Sequence, residues 1–153
     1  MKPGRITAVL AMIGFALLVA SPAVAQLKSP DAVKTGLKLL MQVSNDFKRQ
    51  IAAKNFARVP HEFKEYRESA DAVRTAVKDE PAAFKAKVET RLKAAVAAYQ
   101  KASDMSSTTP DSDKLMAEHA KAVTAMNALF DLFPPELRPD PNAPAGVRGA
   151  PKN

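Results

Sequence analysis

The sequence contains no cysteine among its 153 residues. This absence excludes disulfide bridges, thiol catalysis and metal sites built from thiolates. It also excludes lipid modification at an N-terminal cysteine. The fold must therefore rely on the packing of its core, and the chain is long enough for one domain that does so.

Histidine is scarce, and the motifs of several enzyme classes are missing. The two histidines are His61 and His119, and the residues three positions before them are Arg58 and Met116. A di-iron helical bundle needs glutamate at those two positions, so such a site is excluded. The sequence also lacks a glycine-rich phosphate loop, a nucleophile elbow and a zinc-protease motif. We therefore expect no enzymatic activity.

The N-terminal segment, residues 1–25, has the pattern of a cleavable secretory signal peptide. Lys2 and Arg5 precede an uncharged apolar stretch over residues 6–20, and Ala-Val-Ala at 23–25 supplies the small residues that a signal peptidase accepts. A membrane anchor is the alternative, but the apolar stretch is shorter than the about 20 residues of a spanning helix. We expect cleavage after residue 25 and a periplasmic protein with no integral membrane segment.

Residues 26–133 contain four stretches in which apolar side chains recur at steps of three and four residues, the spacing of amphipathic helices. Ser29 and Pro30 mark the start of the first helix, as its cap and its first residue. Breaks follow near Asn55 and at Pro81. Ser44 fills one missing place on the apolar stripe of the first helix. The predicted core positions are, in the first helix, Val33, Leu37, Leu40, Phe47 and Ile51; in the second, Val59, Phe63, Tyr66, Ala70, Val73 and Val77; in the third, Phe84, Val88, Leu92, Ala95 or Val96, and Tyr99; and in the fourth, Leu115, His119, Ala122, Met126, Leu129 and Phe133.

The later boundaries follow from loop residues. A polar loop rich in Ser and Thr is expected over residues 103–110, and a fourth helix is expected from about Pro110-Asp111-Ser112 to Pro134-Pro135. No stretch alternates with a period of two, so we predict no strands. Four helices with mostly short joints predict an all-α fold, an antiparallel up-down-up-down four-helix bundle. Residues 134–153 include six prolines and predict a disordered tail.

The formal net charge is +7, but the basic residues are interleaved with acidic ones along the helices. Mixed signs are typical of a solvated bundle surface, whereas a nucleic-acid interface needs basic residues clustered on one face. We therefore expect no nucleic-acid partner. Weak attraction to acidic partners or to anionic membrane surfaces is left open.

A few side chains are candidate ligands, and each also has a plain structural interpretation. His61 and Glu65 are four residues apart, so they face the same way on a helix and could share a metal, or form an exposed polar pair. His119 lies on the apolar stripe of the fourth helix with Met126, and Met116 flanks it. An imidazole with thioethers suits copper in an exported protein. Methionine also fills irregular gaps in a core.

The order of several features carries a family resemblance. A signal peptide is followed by a first helix with Met41 in a Leu-Leu-Met run, a short joint Ala-Lys-Asn-Phe-Ala at 53–57, and a middle marked by proline. In this order the chain resembles the cytochrome c-prime, c-556 and b-562 family of periplasmic haem bundles, roughly over residues 30–133. Members of the c type end their last helix with Cys-x-x-Cys-His. The corresponding stretch here is residues 126–130, Met-Asn-Ala-Leu-Phe.

These replacements decide what the resemblance implies. Without cysteine, haem cannot be attached covalently, and Phe130 stands at the position of the histidine ligand. His119 lies eleven residues earlier, about 16 Å along the helix axis, too far to act at the same level. Met41 lies near the methionine ligand of the b-type relatives. The resemblance therefore implies a bundle without haem.

Two functional hypotheses follow from the resemblance and its departures. The first is a non-enzymatic binding or structural protein of the periplasm that has no haem and acts with a protein partner, or as a homodimer. The second is an electron-transfer or carrier protein that binds haem b or copper non-covalently through Met41, Met126 or His119. An absorption spectrum separates them, because bound haem gives a strong Soret band.

Overall fold

A computed structural model describes residues 27–140, and these residues form four α-helices, two short 3-10 helices and no strand. In chain order they are α1 (Pro30–Ala52), a first 3-10 turn (Phe56–Arg58), α2 (Val59–Ala76), α3 (Ala82–Thr108), α4 (Ser112–Phe130) and a C-terminal 3-10 turn (Pro135–Leu137). The prediction of an all-α fold with four helices is confirmed. The signal-peptide prediction, on residues 1–25, lies outside the described residues.

The ends of α1 follow local backbone rules. Pro30 is the first helical residue, where its missing N–H costs nothing. Ser29 occupies the N-cap position, but its side chain makes no capping hydrogen bond, which differs from the expected cap; its carbonyl accepts from the Val33 N–H at 3.1 Å. After α1, Lys54 has a φ of 55°, in the left-handed region that L-residues seldom adopt. This reversal produces the break expected near Asn55.

The polar loop expected over residues 103–110 is wrong, because α3 continues to Thr108. Hydroxyl side chains usually favour loops because they compete with the helix for backbone hydrogen bonds. Here the Ser106 hydroxyl donates to the Ser103 carbonyl at 2.6 Å, and the Thr108 hydroxyl donates to the Asp104 carbonyl at 3.0 Å. Ser103 and Ser106 are also buried. The Ser106 donor is satisfied inside the helix, and both small side chains face the core.

The predicted start of α4 is confirmed by its cap. Asp111 Oδ1 accepts hydrogen bonds from the backbone N–H groups of Asp113 and Lys114, each at 3.0 Å. These bonds satisfy two of the donors that a helix leaves unpaired at its N-terminus. They also lower the pKa of the Asp111 carboxyl, with the bond from Lys114 as the largest cause.

The C-terminal 3-10 turn, Pro135–Leu137, lies where a disordered tail was expected. Leu137 is buried and packs with the core, and the turn contacts α1. Arg138 holds the turn: its Nε donates to the Phe133 carbonyl at 2.8 Å and its Nη1 to Asp131 Oδ1 at 3.0 Å. The disorder predicted from residue 134 therefore does not apply to this turn. The rest of the tail prediction, beyond residue 140, lies outside the described residues.

Consecutive helices pack side by side, α1 with α2, α2 with α3 and α3 with α4, and α4 also packs against α1. The predicted stripe positions form one continuous core, with Phe84 and Val96 only partly buried. At Gly36, α1 comes so close to α2 that an added Cβ would lie 2.8 Å from Val73 Cγ2. Within residues 27–140, no helix has the length and apolar character that crossing a bilayer requires.

The centre of the core is a cluster of rings, one from each helix. These are Phe47 on α1, Tyr66 on α2, Tyr99 on α3 and His119 on α4. The ring centroids of Tyr99 lie 4.0 Å from Tyr66, 5.4 Å from Phe47 and 5.8 Å from His119. These separations lie in or close to the favourable range for aromatic pairs. The cluster joins all four helices at the level where the candidate site lies.

Candidate ligand-binding groove

A groove with a volume of about 370 Å³ runs between α1 and α4. It contains the three residues that the sequence singled out as candidate ligands, which come from two helices far apart in the chain. It is lined by Met41, Ser44, Asn45, Lys48, Met116, His119, Ala120, Val123, Met126 and Asn127. The volume lies within the range of small-ligand sites.

His119 is held in the wall of the groove by α1. It is 5% exposed, and its Nε2 lies 3.0 Å from the Ser44 carbonyl oxygen and 3.3 Å from the Ser44 hydroxyl. A carbonyl can only accept, so Nε2 carries the proton and donates to it. This tautomer leaves the lone pair on Nδ1.

The surroundings of His119 favour a neutral imidazole. Burial is the main cause that lowers the pKa of His119, the hydrogen bond with the Ser44 carbonyl opposes it, and the charge of Lys48 lowers the pKa further. Lys48 lies one turn beyond Ser44 on α1, and its side chain is exposed. At neutral pH the ring therefore has one N–H, used by Ser44, and one lone pair.

Met126 faces the core side of the groove. It is fully buried, and its Sδ lies 3.9 Å from the Tyr99 hydroxyl, which donates to Ser44 Oγ at 2.5 Å. Burial raises the pKa of Tyr99 well above its usual range, so the phenol keeps its proton at neutral pH. Ser44 therefore connects Tyr99 to His119, and these contacts tie α3, α1 and α4 together.

Met41 and Met116 are the other two methionines of the groove. Both are partly buried and pack against the core. Met116 precedes His119 by one helical turn, so their side chains are neighbours. The sequence predicted Met41, Met126 and His119 as candidates, and the structure brings all three to one groove. Met116 was noted only as flanking His119, since its place in the groove depends on the pairing of α1 with α4.

Sequence reasoning missed the part played by Ser44 and Tyr99. The available signal was a serine at the one missing place on the apolar stripe of α1, together with a histidine on the stripe of α4. Two polar residues on apolar stripes indicate a buried hydrogen bond, because unpaired polar groups are costly in a core. The spacing alone does not give their partner, which lies 75 positions away in the chain.

His61 and Glu65, the weak metal candidates, pair on the surface of α2. His61 Nε2 lies 3.4 Å from Glu65 Oε1, and the His61 side chain is 49% exposed. Among residues 27–140, no group of three or more His, Cys, Asp or Glu side chains is placed to hold a metal ion.

The positions that correspond to the haem-attachment sequence are part of the core. Met126 and Leu129 are fully buried, and Phe130 is 5% exposed. All three belong to the core cluster, and Phe133 beyond them packs edge-on against Phe84 at 5.7 Å between centroids. Their side chains fill the space at the end of α4.

The lowered pKa of His119 makes stability depend on pH. The unfolded state binds the proton more readily than the folded state. The contribution of His119 to the free energy of unfolding is therefore complete above its unfolded pKa of about 6.5, and it is lost as the pH falls from there through the folded pKa. We expect the free energy of unfolding to decrease over this window by at most about 1.4 kcal/mol per pH unit. Urea unfolding at a series of pH values from neutral to mildly acidic measures it.

One variant isolates the contribution of His119. His119→Gln removes the titration, so its stability profile should be flatter than that of the parent. Glu62, whose pKa is raised mainly by burial, contributes with the opposite sign and is common to both proteins. Equal slopes in the parent and His119→Gln would contradict the assignment.

The chain was compared with models of known families, with curated proteins and with solved structures, and none of the three comparisons found a match.

Proposed function

We propose that this chain is an exported four-helix bundle of the cytochrome c-prime-like lineage that has no haem and acts as a non-enzymatic binding protein. Its ligand site is the groove between α1 and α4. The observation that carries the proposal is that groove, which collects methionine side chains and a neutral imidazole from helices distant in sequence. Export rests on the signal-peptide pattern, and the lineage rests on the resemblance alone.

The bundle is antiparallel, up-down-up-down, in this proposal, and contacts near the helix ends support it. Arg74 in the last turns of α2 donates from Nε to Glu89 Oε2 near the start of α3, at 2.8 Å. Lys101 in the second half of α3 lies 3.1 Å from Glu118 in the first half of α4. The Arg74 bond is also the largest cause of the lowered pKa of Glu89.

The absence of haem is supported by packing and chemistry. Covalent attachment needs cysteine, and the sequence has none. Non-covalent haem b would need room in the core, but Leu129 and Phe130 fill the end of α4. Met41, the candidate haem ligand, lies in the groove instead. The groove offers space for a smaller ligand.

The experiment is an absorption spectrum of the full chain purified from the periplasmic fraction of cells that make haem. We expect a cooperatively folded protein without a Soret band, and only the broad absorbance of free haem after haem b is added in slight excess. A stoichiometric Soret band that weakens in Met41→Leu would overturn the haem-free proposal and support the electron-transfer alternative. Met105→Leu is the control, because Met105 is a partly buried residue of α3 that does not line the groove.

A further inference from the structure

We propose that the α1–α4 groove binds a single-chain organic anion, with the anionic head at Lys48 and the apolar chain along the methionines of the groove. This inference rests on the proposed function, in which the groove is the ligand site, and it names the class of ligand. A free medium-chain carboxylate such as dodecanoate has the required chemistry.

The charge of the groove is of one sign. Among the residues that line it, Lys48 is the one that carries a charge, and none is an aspartate or a glutamate. Lys34, Lys38, Met41, Asn45 and Lys48 follow one another on α1 at steps of four and three residues, so they share one edge of that helix. The α1 side of the groove is therefore basic, and an anion complements it.

Lys48 has no anion of its own among residues 27–140, where it forms no ion pair and no side-chain hydrogen bond. Lysines on other helices do pair, as Lys93 does with Glu89 on α3. The charge of Lys48 acts on the groove itself, because it lowers the pKa of His119 in the groove wall. Lys48 is thus an unpaired cation at the side of the groove.

The interior of the groove is apolar. Met41, Met116, Ala120, Val123 and Met126 are half of its lining, and only Met126 among them is fully buried. The other four leave part of their surface to water, and covering that surface with an apolar chain is favourable. Methionine side chains are unbranched and flexible, so they adapt to the shape of such a chain.

The groove is elongated. In the antiparallel arrangement proposed above, Lys48 lies four residues to one side of the hydrogen bond between His119 and Ser44, and Asn127 lies eight residues to the other side. At 1.5 Å per residue, these ends are about 18 Å apart along the helices. The two partly buried methionines lie on opposite sides of the same hydrogen bond. Donors spread in this way suit one extended chain better than a compact ligand.

A free amphiphile fits this surface better than a bilayer does. A helix that binds a membrane surface turns its whole apolar face towards the lipid. The apolar faces of α1 and α4 instead form the core of the bundle, and what they leave open is a groove between them. We therefore assign the groove to a single chain that enters it from water.

The test is an NMR titration of the full chain, labelled with ¹³C at the methionine methyl groups, with dodecanoate. We expect saturable shifts of the methyl signals of Met41, Met116 and Met126. The signal of Met105 should stay in place, because this partly buried residue of α3 does not line the groove. Decanoate and octanoate should bind more weakly, by up to about fourfold for each buried methylene removed, which converts about 0.8 kcal/mol per CH₂.

Lys48→Gln tests the position of the head group. The side chain is exposed, so the variant should fold. It should weaken binding of dodecanoate by about two- to fivefold, the equivalent of about 0.5–1 kcal/mol for an exposed ion pair. Its affinity for decanol, which has no charge, should not change. Lys87→Gln is the matched control, because Lys87 is exposed on α3 and does not line the groove.

Several results would overturn the inference. They are no shift of the groove methyl groups, an equal shift at Met105, an affinity that ignores chain length, or Lys48→Gln behaving like Lys87→Gln. Binding to phosphatidylglycerol vesicles without groove shifts from dodecanoate would assign the basic edge to a membrane. Groove signals that move with protein concentration alone would assign it to a second copy of the chain.

These failures are distinguishable from failure of the proposed function. In a protein without a Soret band, each of them leaves the haem-free proposal intact and removes only the anionic chain as the ligand. A stoichiometric Soret band removes the haem-free proposal whatever the titration with dodecanoate gives.

Discussion

Replacing Phe130 with aspartate should lower the free energy of unfolding by about 3–5 kcal/mol. The substitution removes a large side chain that is 5% exposed, leaves a cavity, and buries a carboxylate at the end of α4. Burial disfavours the charged form, so the pKa of the new carboxyl rises in the folded protein. The penalty should therefore be complete above that raised pKa and diminish as the pH falls towards the unfolded pKa.

Urea unfolding followed by circular dichroism measures this loss. Asn127→Asp is the matched control, because it adds the same charge in the same helical turn at an exposed position. The control should cost less than about 1 kcal/mol, the magnitude of an anion close to a helix C-terminus. If Phe130→Asp behaved like the control, Phe130 would not be a core residue and the argument for a core without haem would lose its main support.

Replacing Gly36 with leucine should lower the free energy of unfolding by about 3 kcal/mol, the upper range for overpacking a well-packed core. An added Cβ lies 2.8 Å from Val73 Cγ2 and 3.4 Å from the Val73 backbone. Valine is stiff about χ1, and Val73 is fully buried, so it cannot move aside. The cost of this clash exceeds the gain in helix propensity of about 1 kcal/mol that comes from replacing a glycine inside a helix.

Thermal or urea unfolding of Gly36→Leu and of the variants below tests this close approach of α1 and α2. Thr35→Leu, at the exposed neighbouring position, is the control and should be neutral or slightly stabilising. In a cycle of Gly36→Ala and Val73→Ala, the double variant should be more stable than the sum of the single losses predicts, because Val73→Ala removes the clashing methyl. Strict additivity would show that the two residues do not touch.

The number and placement of the helices could be predicted from sequence because burial repeats at helical spacing. Pro30 and Asp111 mark helix starts by local rules, and both predictions are confirmed. The end of α3 was missed because Ser103 and Ser106 have loop-forming side chains whose preference is overridden by burial and by hydrogen bonds inside the helix. Local propensity is a weak guide wherever tertiary packing opposes it.

The candidate site was predicted only as separate residues. Met41, Met126 and His119 were identified by their chemistry, but their convergence depends on how α1 faces α4. The bond from His119 to Ser44 joins residues 75 positions apart, and no local pattern encodes such a pair. The role of Arg138 in holding the C-terminal turn was likewise invisible, because its partners include the backbone of Phe133.

The C-terminal 3-10 turn has a consequence for how the chain acquires its structure. A chain is made from its N-terminus, so α1 is made long before α4 and before Leu137. Leu137 packs into the core that α1 helps to form. The α1–α2 and α3–α4 pairs involve short sequence separations and form fast, whereas contacts across most of the chain form late. Until α4 and this turn have been made, one apolar side of α1 therefore faces water. Over that interval the nascent protein is a natural client for chaperones that hold exposed apolar helices.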